Sequence, residues 1–130
     1  MILLESSAFI ENLRAGGRRD IKARVKAALL ASKAVLCEPV MLELWAGCKA
    51  GKEAKVLRQF ESTLPSLPCD AEAWQLARRN AILFRSRGLT FSNFDILIFS
   101  IALRHNAGII AVDKAYAKMR DAVRKAVNAG

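Results

Sequence analysis

Short apolar runs alternate with longer helical patterns along this chain, and this alternation constrains the fold more than any other feature. Runs at residues 1–4, 34–37 and 108–112 have the length and composition of strands buried on both faces. A fourth run, at residues 64–69, contains two prolines and can only form an edge strand. The sequence therefore predicts an α/β fold in which a central parallel sheet carries helices on both faces.

Helical patterns separate the apolar runs. Asp70 is expected to cap a long helix that Gly88 terminates, and a serine after Glu5 is expected to cap the first helix. Trp45 and Trp74 lie at helical spacing among apolar residues and are expected in the core. The expected helices cover residues 8–14, 20–32, 39–47, 53–62, 70–87 and 114–128, with one further helix that starts near Ser92.

Length and composition favour a single folded domain over all 130 residues. The chain is 53% hydrophobic, and its longest near-continuous apolar run, at residues 96–103, is far shorter than a membrane span requires. The N-terminus lacks the basic region of a signal peptide. Three cysteines without CxxC spacing indicate a reducing compartment and argue against a zinc site. We therefore expect a cytoplasmic protein that does not bind a membrane.

The formal net charge of +9 favours polyanionic partners, nucleic acid above all. Cations are concentrated between residues 14 and 33, on a pattern that is otherwise typical of a helix. These side chains could contact phosphates or form an ordinary solvated helix face, and the sequence leaves both interpretations open. A basic helix at a membrane surface and an acidic protein partner are further alternatives.

Four carboxylates lie beside apolar sequence, where an unpaired charge is costly to bury. Glu5 and Asp113 follow predicted strands, Asp95 lies near the start of an apolar helix, and Glu43 lies about a turn into the helix after the second strand. Ligand sites of parallel sheets lie beyond the carboxyl ends of the strands, so all four side chains are expected at one edge of the sheet. Because hard cations such as Mg²⁺ take oxygen ligands, the pattern indicates a shared metal site.

Each of these carboxylates also has a structural interpretation. Ser92 and Asp95 have the spacing of a capping box. Asp113 could cap the helix that follows it, Glu5 could balance a helix N-terminus, and Glu43 could pair with a surface cation. The shared position at one sheet edge favours the site interpretation for the set as a whole.

Other site chemistries find little support in the sequence. His105 is the only histidine and follows Arg104 at a helix C-terminus, where a cation is favoured. No cysteine neighbours it in sequence, which argues against a Cys–His nucleophile. Neither a Walker-type loop nor a GxGxxG motif occurs. We therefore expect a structural role for His105.

Three segments in order, ILLESSAFIE, EPVMLELWAG and NFDILIFSIALRHNAGIIAVDKAYAKM, together resemble the PIN-domain ribonucleases. They are most similar to the VapC-type toxins of bacterial toxin–antitoxin pairs. The resemblance implies a three-layer α/β/α sandwich with a central parallel sheet of four or five strands. It also implies an endoribonuclease that depends on Mg²⁺ or Mn²⁺, a cognate antitoxin as partner, and a homodimer.

Carried over residue by residue, Glu43, Asp95 and Asp113 match three acidic positions of that family, and Ser7 matches its small hydroxyl residue. Glu5 stands where the family has an aspartate. The glutamate is one methylene longer, and Mg²⁺ demands near-ideal octahedral geometry. A misplacement of about 1 Å can cost on the order of 100-fold in rate, so the resemblance leaves the activity of this chain open.

A second departure from the family lies after Asp113, where a further acid is common but Ala115 and Tyr116 occur here. The helical and basic C-terminus also shows no sign of a final edge strand.

The mechanism that the resemblance implies is metal-assisted phosphodiester hydrolysis. Glu5, Asp95 and Asp113 would hold the metal, Glu43 would ligate it or orient a water, and Ser7 would hydrogen-bond a neighbouring carboxylate or a phosphate oxygen. The cations Arg14, Arg18 and Arg19 are candidates for holding the RNA backbone.

Two other functions compete with this one. A catalytically impaired module of the same fold could bind its antitoxin or RNA without cleavage. A phosphoacceptor domain of the receiver type also clusters acids at a sheet edge, but it needs an aspartate at the end of a third strand, and the run at residues 64–69 is a poor host for it.

Overall fold

The computed structural model describes residues 1–49 and 51–129 and contains a parallel four-stranded sheet in these ranges. The strand order is β3-β2-β1-β4, and each neighbouring pair is parallel. This confirms the α/β prediction and places β3, the short strand between Pro65 and Pro68, at an edge. The strands are β1 (Ile2–Leu4), β2 (Ala34–Cys37), β3 (Ser66–Leu67) and β4 (Gly108–Ile110).

Helices connect the strands and flank the sheet. Within the described ranges they are α1 (Ser6–Leu13), α2 (Arg19–Leu30), α3 (Glu38–Ala46), α4 (Lys52–Thr63), α5 (Ala71–Ser86), α6 (Asn93–Arg104) and α7 (Ala115–Ala129). Every predicted helix is present with bounds that differ by a few residues. None of the helices in these ranges is both long and apolar enough to cross a bilayer.

Helix α6 forms the centre of the helical packing. Its residues Ile96 to Ala102 are all buried, and it contacts α3, α5, α7 and β4. A helix that is apolar on every side must be surrounded by other elements. Within this apolar environment, the Asn80 amide of α5 donates a hydrogen bond of 3.0 Å to Ser100 Oγ, and Ser100 Oγ donates to the Ile96 carbonyl at 2.7 Å. These bonds satisfy both buried polar side chains.

The helix caps follow the sequence with one correction. Asp70 accepts a hydrogen bond from Ala73 N at 2.9 Å, and Gly88, with φ of +69°, follows the C-cap of α5 as predicted. The expectation that a serine caps the first helix is wrong. The N-cap of α1 is Glu5, whose carboxylate accepts from Ser7 N.

The core prediction for Trp74 is also wrong, because 49% of its surface is exposed. Helix α5 buries the stripe that contains Ala73, Ala77, Asn80 and Phe84, and Trp74 lies outside this stripe. Trp45 of α3 is half-buried and packs against the core. Its indole N–H donates to the Glu61 carboxylate, and the Arg58 guanidinium lies 5.7 Å from its ring centroid.

We expect Ser100→Ala to lower the free energy of unfolding by about 1–3 kcal/mol, because it leaves the buried Asn80 amide without its acceptor. Ser86→Ala is the matched control, since the exposed Ser86 hydroxyl donates only to a carbonyl of its own helix. Its effect should stay within about 0.5 kcal/mol. Urea denaturation of both variants measures the difference, and equal losses would contradict the importance of the buried pair.

Candidate active site

Glu5 lies directly after β1 and is buried, with 6% of its surface exposed. Its Oε2 atom accepts two hydrogen bonds from Ser7, one from the backbone N at 2.9 Å and one from Oγ at 2.5 Å. Burial raises the pKa of the Glu5 carboxyl, the bonds from Ser7 partly offset this, and the charges of Glu43 and Asp95 raise the pKa further. The first acid therefore lies within electrostatic reach of two others.

Ser7 joins this carboxylate to the segment that follows β4. Its Oγ accepts a hydrogen bond of 2.9 Å from Val112 N, while the Glu5 backbone N donates to the Ile110 carbonyl at 3.1 Å. One serine hydroxyl thus connects the chain after the first strand to the chain after the last strand. The role predicted for Ser7, a hydrogen bond to a neighbouring carboxylate, agrees with this position.

Glu43 projects from α3, and its Oε1 atom accepts a hydrogen bond of 2.7 Å from Ser6 Oγ. Ser6 is not among the site residues predicted from the sequence. The sequence did contain a signal for it, because two consecutive serines on a helix point about 100° apart and can donate hydrogen bonds to two different acids. Ser7 donates a hydrogen bond to Glu5, and Ser6 donates one to Glu43.

Asp95 is the third residue of α6. Its backbone N donates to Ser92 Oγ at 3.1 Å, which forms one half of the predicted capping box. Its carboxylate accepts a hydrogen bond of 3.0 Å from the Tyr116 hydroxyl of α7. Burial raises the pKa of Tyr116, and the charges of Glu5, Asp95 and Glu43 raise it further. This hydroxyl therefore lies among all three acids.

Asp113 occupies a different environment from the other three acids. It is exposed, lies three residues beyond the end of β4, and accepts a hydrogen bond of 2.9 Å from Ala115 N at the start of α7. The repulsions that raise the pKa values of Glu5 and Tyr116 come from the other acids. The structure thus brings Glu5, Glu43 and Asp95 within electrostatic reach of one another, whereas the Asp113 carboxylate binds the backbone at the start of α7.

The donor set of this cluster suits a hard divalent cation, because it consists of carboxylate and hydroxyl oxygens. In residues 1–49 and 51–129, the ion pairs formed by acids involve Glu11, Asp20, Asp70 and Glu72, so no lysine or arginine neutralises the cluster there. Within the same ranges, no three side chains of His, Cys, Asp or Glu lie close enough together to enclose a metal ion as they are placed. The chemistry of the site fits a metal, while its side chains are not arranged around one.

A cavity of about 470 Å³ opens beside Glu43 and Ser6, between α1, α3 and α4. Ile10 and Leu13 form part of its apolar wall, and Arg14 lines it as well. Arg14 Nη1 lies 3.6 Å from Glu11 Oε1. Of the three arginines predicted to bind RNA, Arg14 is therefore the one that shares a cavity with an acid of the cluster, Glu43.

The two other predicted arginines lie farther along the chain on the surface. Arg18 is exposed and pairs with Asp20 through two hydrogen bonds of 3.1 and 2.7 Å, and Arg19 is exposed at the start of α2. His105 lies at the C-terminal end of α6, opposite the end that carries Asp95, with its ring nitrogen 2.8 Å from the Pro68 carbonyl oxygen. This geometry fits the structural role expected for His105.

We expect Glu5→Gln to stabilise the metal-free protein at neutral and alkaline pH. The folded-state pKa of Glu5 is raised, so the free energy of unfolding of the original chain falls as the pH rises from the ordinary carboxyl range through that pKa. The free energy of unfolding of Glu5→Gln should therefore equal that of the original chain at about pH 4 and exceed it increasingly towards about pH 8. Urea denaturation in EDTA across this pH range measures the difference. Glu38→Gln, at an exposed acid, is the control and should give no gain; an advantage of Glu5→Gln that is independent of pH would contradict the repulsion.

Comparison with known proteins agrees with this geometry. The PIN domain family profile matches residues 2–122. The VapC ribonuclease Mb1587 of Mycobacterium bovis and Ribonuclease VapC11 of Mycobacterium tuberculosis are each 30% identical to the chain, over 87% of its length and 87% of theirs.

Two solved structures share the fold. FitAcB from Neisseria gonorrhoeae superposes with a TM-score of 0.72 at 19% identity, covering 93% of this chain and 94% of that one. VapBC2 from Rickettsia felis, bound to a DNA fragment from its promoter, gives 0.73 at 21% identity, with 91% and 92% covered. The match of the family profile to nearly the whole chain, together with these relatives, shows that the chain belongs to the PIN-domain family, among its VapC-type members.

Proposed function

We propose that this chain is a metal-dependent endoribonuclease that acts as the toxin of a toxin–antitoxin pair. The observation that carries the proposal is the meeting of Glu5, Glu43 and Asp95, which come from three separate elements and have no cationic partner in the described residues. The relatives that bear the name ribonuclease support the same conclusion. A buried carboxylate with two further acids within electrostatic reach is costly for a fold to maintain, and a nuclease site accounts for it.

The cation that we propose for this site is Mg²⁺ or Mn²⁺. Glu5, Glu43 and Asp95 would hold it, with Asp113 as a further ligand directly or through water. When bound, a divalent cation supplies activation of a water and compensation of the charge that develops on the phosphate. Because the side chains are not arranged around an ion, we expect binding to involve rotation of these carboxylates.

The contribution of the protein itself is the orientation of the three acids. Ser7 holds one oxygen of Glu5, Ser6 holds one oxygen of Glu43, and Tyr116 holds one oxygen of Asp95. In the described part of the chain, the second oxygen of each carboxylate makes no hydrogen bond and remains available for a ligand.

The first test is RNA cleavage with Mg²⁺ and with Mn²⁺. We expect Asp95→Asn to lower the rate about 100-fold or more, since even a small misplacement of a site group can cost that much. Asp121→Asn makes the same chemical change on the exposed face of α7 and should leave the rate unchanged. EDTA should stop the reaction. Glu5→Asp should cleave at least as fast as the original chain, because it restores the side-chain length usual in the family that the chain resembles.

A second candidate function is an impaired module that binds its antitoxin or RNA without cleaving. The observation that favours it is the lack of three converging metal ligands among residues 1–49 and 51–129, together with the added length of Glu5. If the chain and its Glu5→Asp variant bind Mn²⁺ or RNA but cleave no tested RNA, this second function replaces the nuclease.

We further propose a cognate antitoxin as partner and a homodimer as the assembly. The structural neighbours support the antitoxin, because they were solved as FitAB and VapBC complexes. Sedimentation of the chain alone and together with a candidate antitoxin would test both parts of this proposal.

The RNA path that we propose passes the cavity beside Glu43, with Arg14, Arg18 and Arg19 as candidate backbone contacts. Arg14→Gln should weaken RNA binding several-fold and reduce the salt dependence by about 0.7 for one lost phosphate contact to a single strand. Arg18→Gln and Arg19→Gln should weaken binding less than Arg14→Gln, because they remove the same charge outside the lining of this cavity. Fluorescence anisotropy in an Asp95→Asn background measures RNA binding without cleavage. If the three arginine substitutions weaken binding equally, these side chains contribute only non-specific charge, and the proposed RNA path is contradicted.

A further inference from the structure

Tyr116 is a polar residue in an apolar position. Only 5% of its surface is exposed, and its ring packs into the core where α7 meets α6. A buried tyrosine hydroxyl needs a hydrogen-bond partner, and here the partner is Oδ1 of Asp95 at 3.0 Å. Helices α6 and α7, which flank β4 in the sequence, are thus joined at one of the proposed site residues.

We propose that Tyr116 is a positioning residue, whose hydroxyl fixes the Asp95 carboxylate so that Oδ2 remains free for a divalent cation. This inference deepens the proposed function and rests on it, because it assigns the residue that prepares one of the proposed ligands.

The local contacts of Asp95 show why this bond matters. In a complete capping box the N3 carboxylate would reach back to the N-cap backbone N–H. Here Ser92 does cap the Asp95 N–H, but the Asp95 carboxylate bonds to Tyr116 instead. The side-chain orientation of Asp95 is therefore set by α7 and not by its own helix.

The other two acids are held in the same manner. Ser7 Oγ donates to Glu5 and Ser6 Oγ donates to Glu43. A neutral hydroxyl satisfies one oxygen of a carboxylate without cancelling its charge, whereas a lysine or arginine would compete with a cation for that charge. Tyr116 completes a set of three hydroxyl donors on three acids.

The position of Tyr116 also gives Asp113 an indirect connection to the site. Asp113 accepts from Ala115 N and so stabilises the first turn of α7, the turn that carries Tyr116. Asp113 is therefore connected to Asp95 through the first turn of α7 and the hydrogen bond from Tyr116.

The test is Tyr116→Phe, which keeps the ring in the core and removes only the hydroxyl. Groups that orient metal ligands typically contribute about 10- to 100-fold to metal affinity or activity. We therefore expect Mn²⁺ affinity, measured by electron paramagnetic resonance, to fall about 10-fold or more. In RNA cleavage, kcat should fall while KM is retained. A crystal structure of the metal-free variant should show the Asp95 side chain in a changed or multiple orientation.

Ser92→Ala is the matched control, since it removes the other hydroxyl that bonds Asp95, at its backbone. It should lower the melting temperature while leaving Mn²⁺ affinity and the Asp95 carboxylate orientation unchanged. If Ser92→Ala weakens Mn²⁺ as much as Tyr116→Phe does, a general loosening of α6 explains the effect and the proposal is overturned.

Two results separate this inference from the proposed nuclease. If Tyr116→Phe keeps both the Asp95 orientation and the original Mn²⁺ affinity, the positioning role is refuted whatever the chain cleaves. If the original chain binds Mn²⁺ weakly or cleaves no RNA, the nuclease proposal fails, and the orientation of Asp95 in the metal-free variant still decides the role of Tyr116.

Discussion

The site depends on the parallel pairing of β1 with strands on both of its sides. Leu3 pairs with Val35 of β2 and Leu4 pairs with Ile110 of β4, so all three strands end at the same edge of the sheet. Whatever follows these strands must meet there. Glu5 follows the central strand directly, which places it between the segments that carry Glu43 and Val112.

Because these segments meet at one edge of the sheet, the chemistry there depends on which groups hydrogen-bond to the acids. Neutral hydroxyls contact them, and the described ion pairs of the chain lie elsewhere. The fold thereby retains a concentration of negative charge on a protein whose net charge is +9. Under the proposed function, this arrangement would sacrifice some stability of the metal-free protein for attraction to a cation, a trade that functional sites commonly make.

The sequence predicted the fold well, because the alternation of apolar runs and helical patterns leaves few topologies for a parallel sheet. It also predicted four acids at one sheet edge, and the structure brings three of them, Glu5, Glu43 and Asp95, within electrostatic reach of one another. It missed Ser6, although the two consecutive serines after Glu5 carried a signal. It missed Tyr116, because a hydroxyl that meets an acid from another helix leaves no pattern in the chain. The exposure of Trp74 was missed for a related reason, since spacing alone does not say which stripe of a helix meets its neighbours.

Glu5 combines two tasks that are separate at Asp95. Its carboxylate is the N-cap of α1 and also the first acid of the cluster, whereas Ser92 caps α6 and leaves the Asp95 carboxylate to the site. In a mutational scan, a substitution at position 5 would therefore lower the abundance of folded protein as well as remove a proposed site residue, and the scan would not distinguish the two effects. Asp95→Asn keeps a side-chain oxygen that can accept from Tyr116, so it separates the two effects. Under the proposed function, an inactive but folded form of this protein is therefore best obtained with Asp95→Asn.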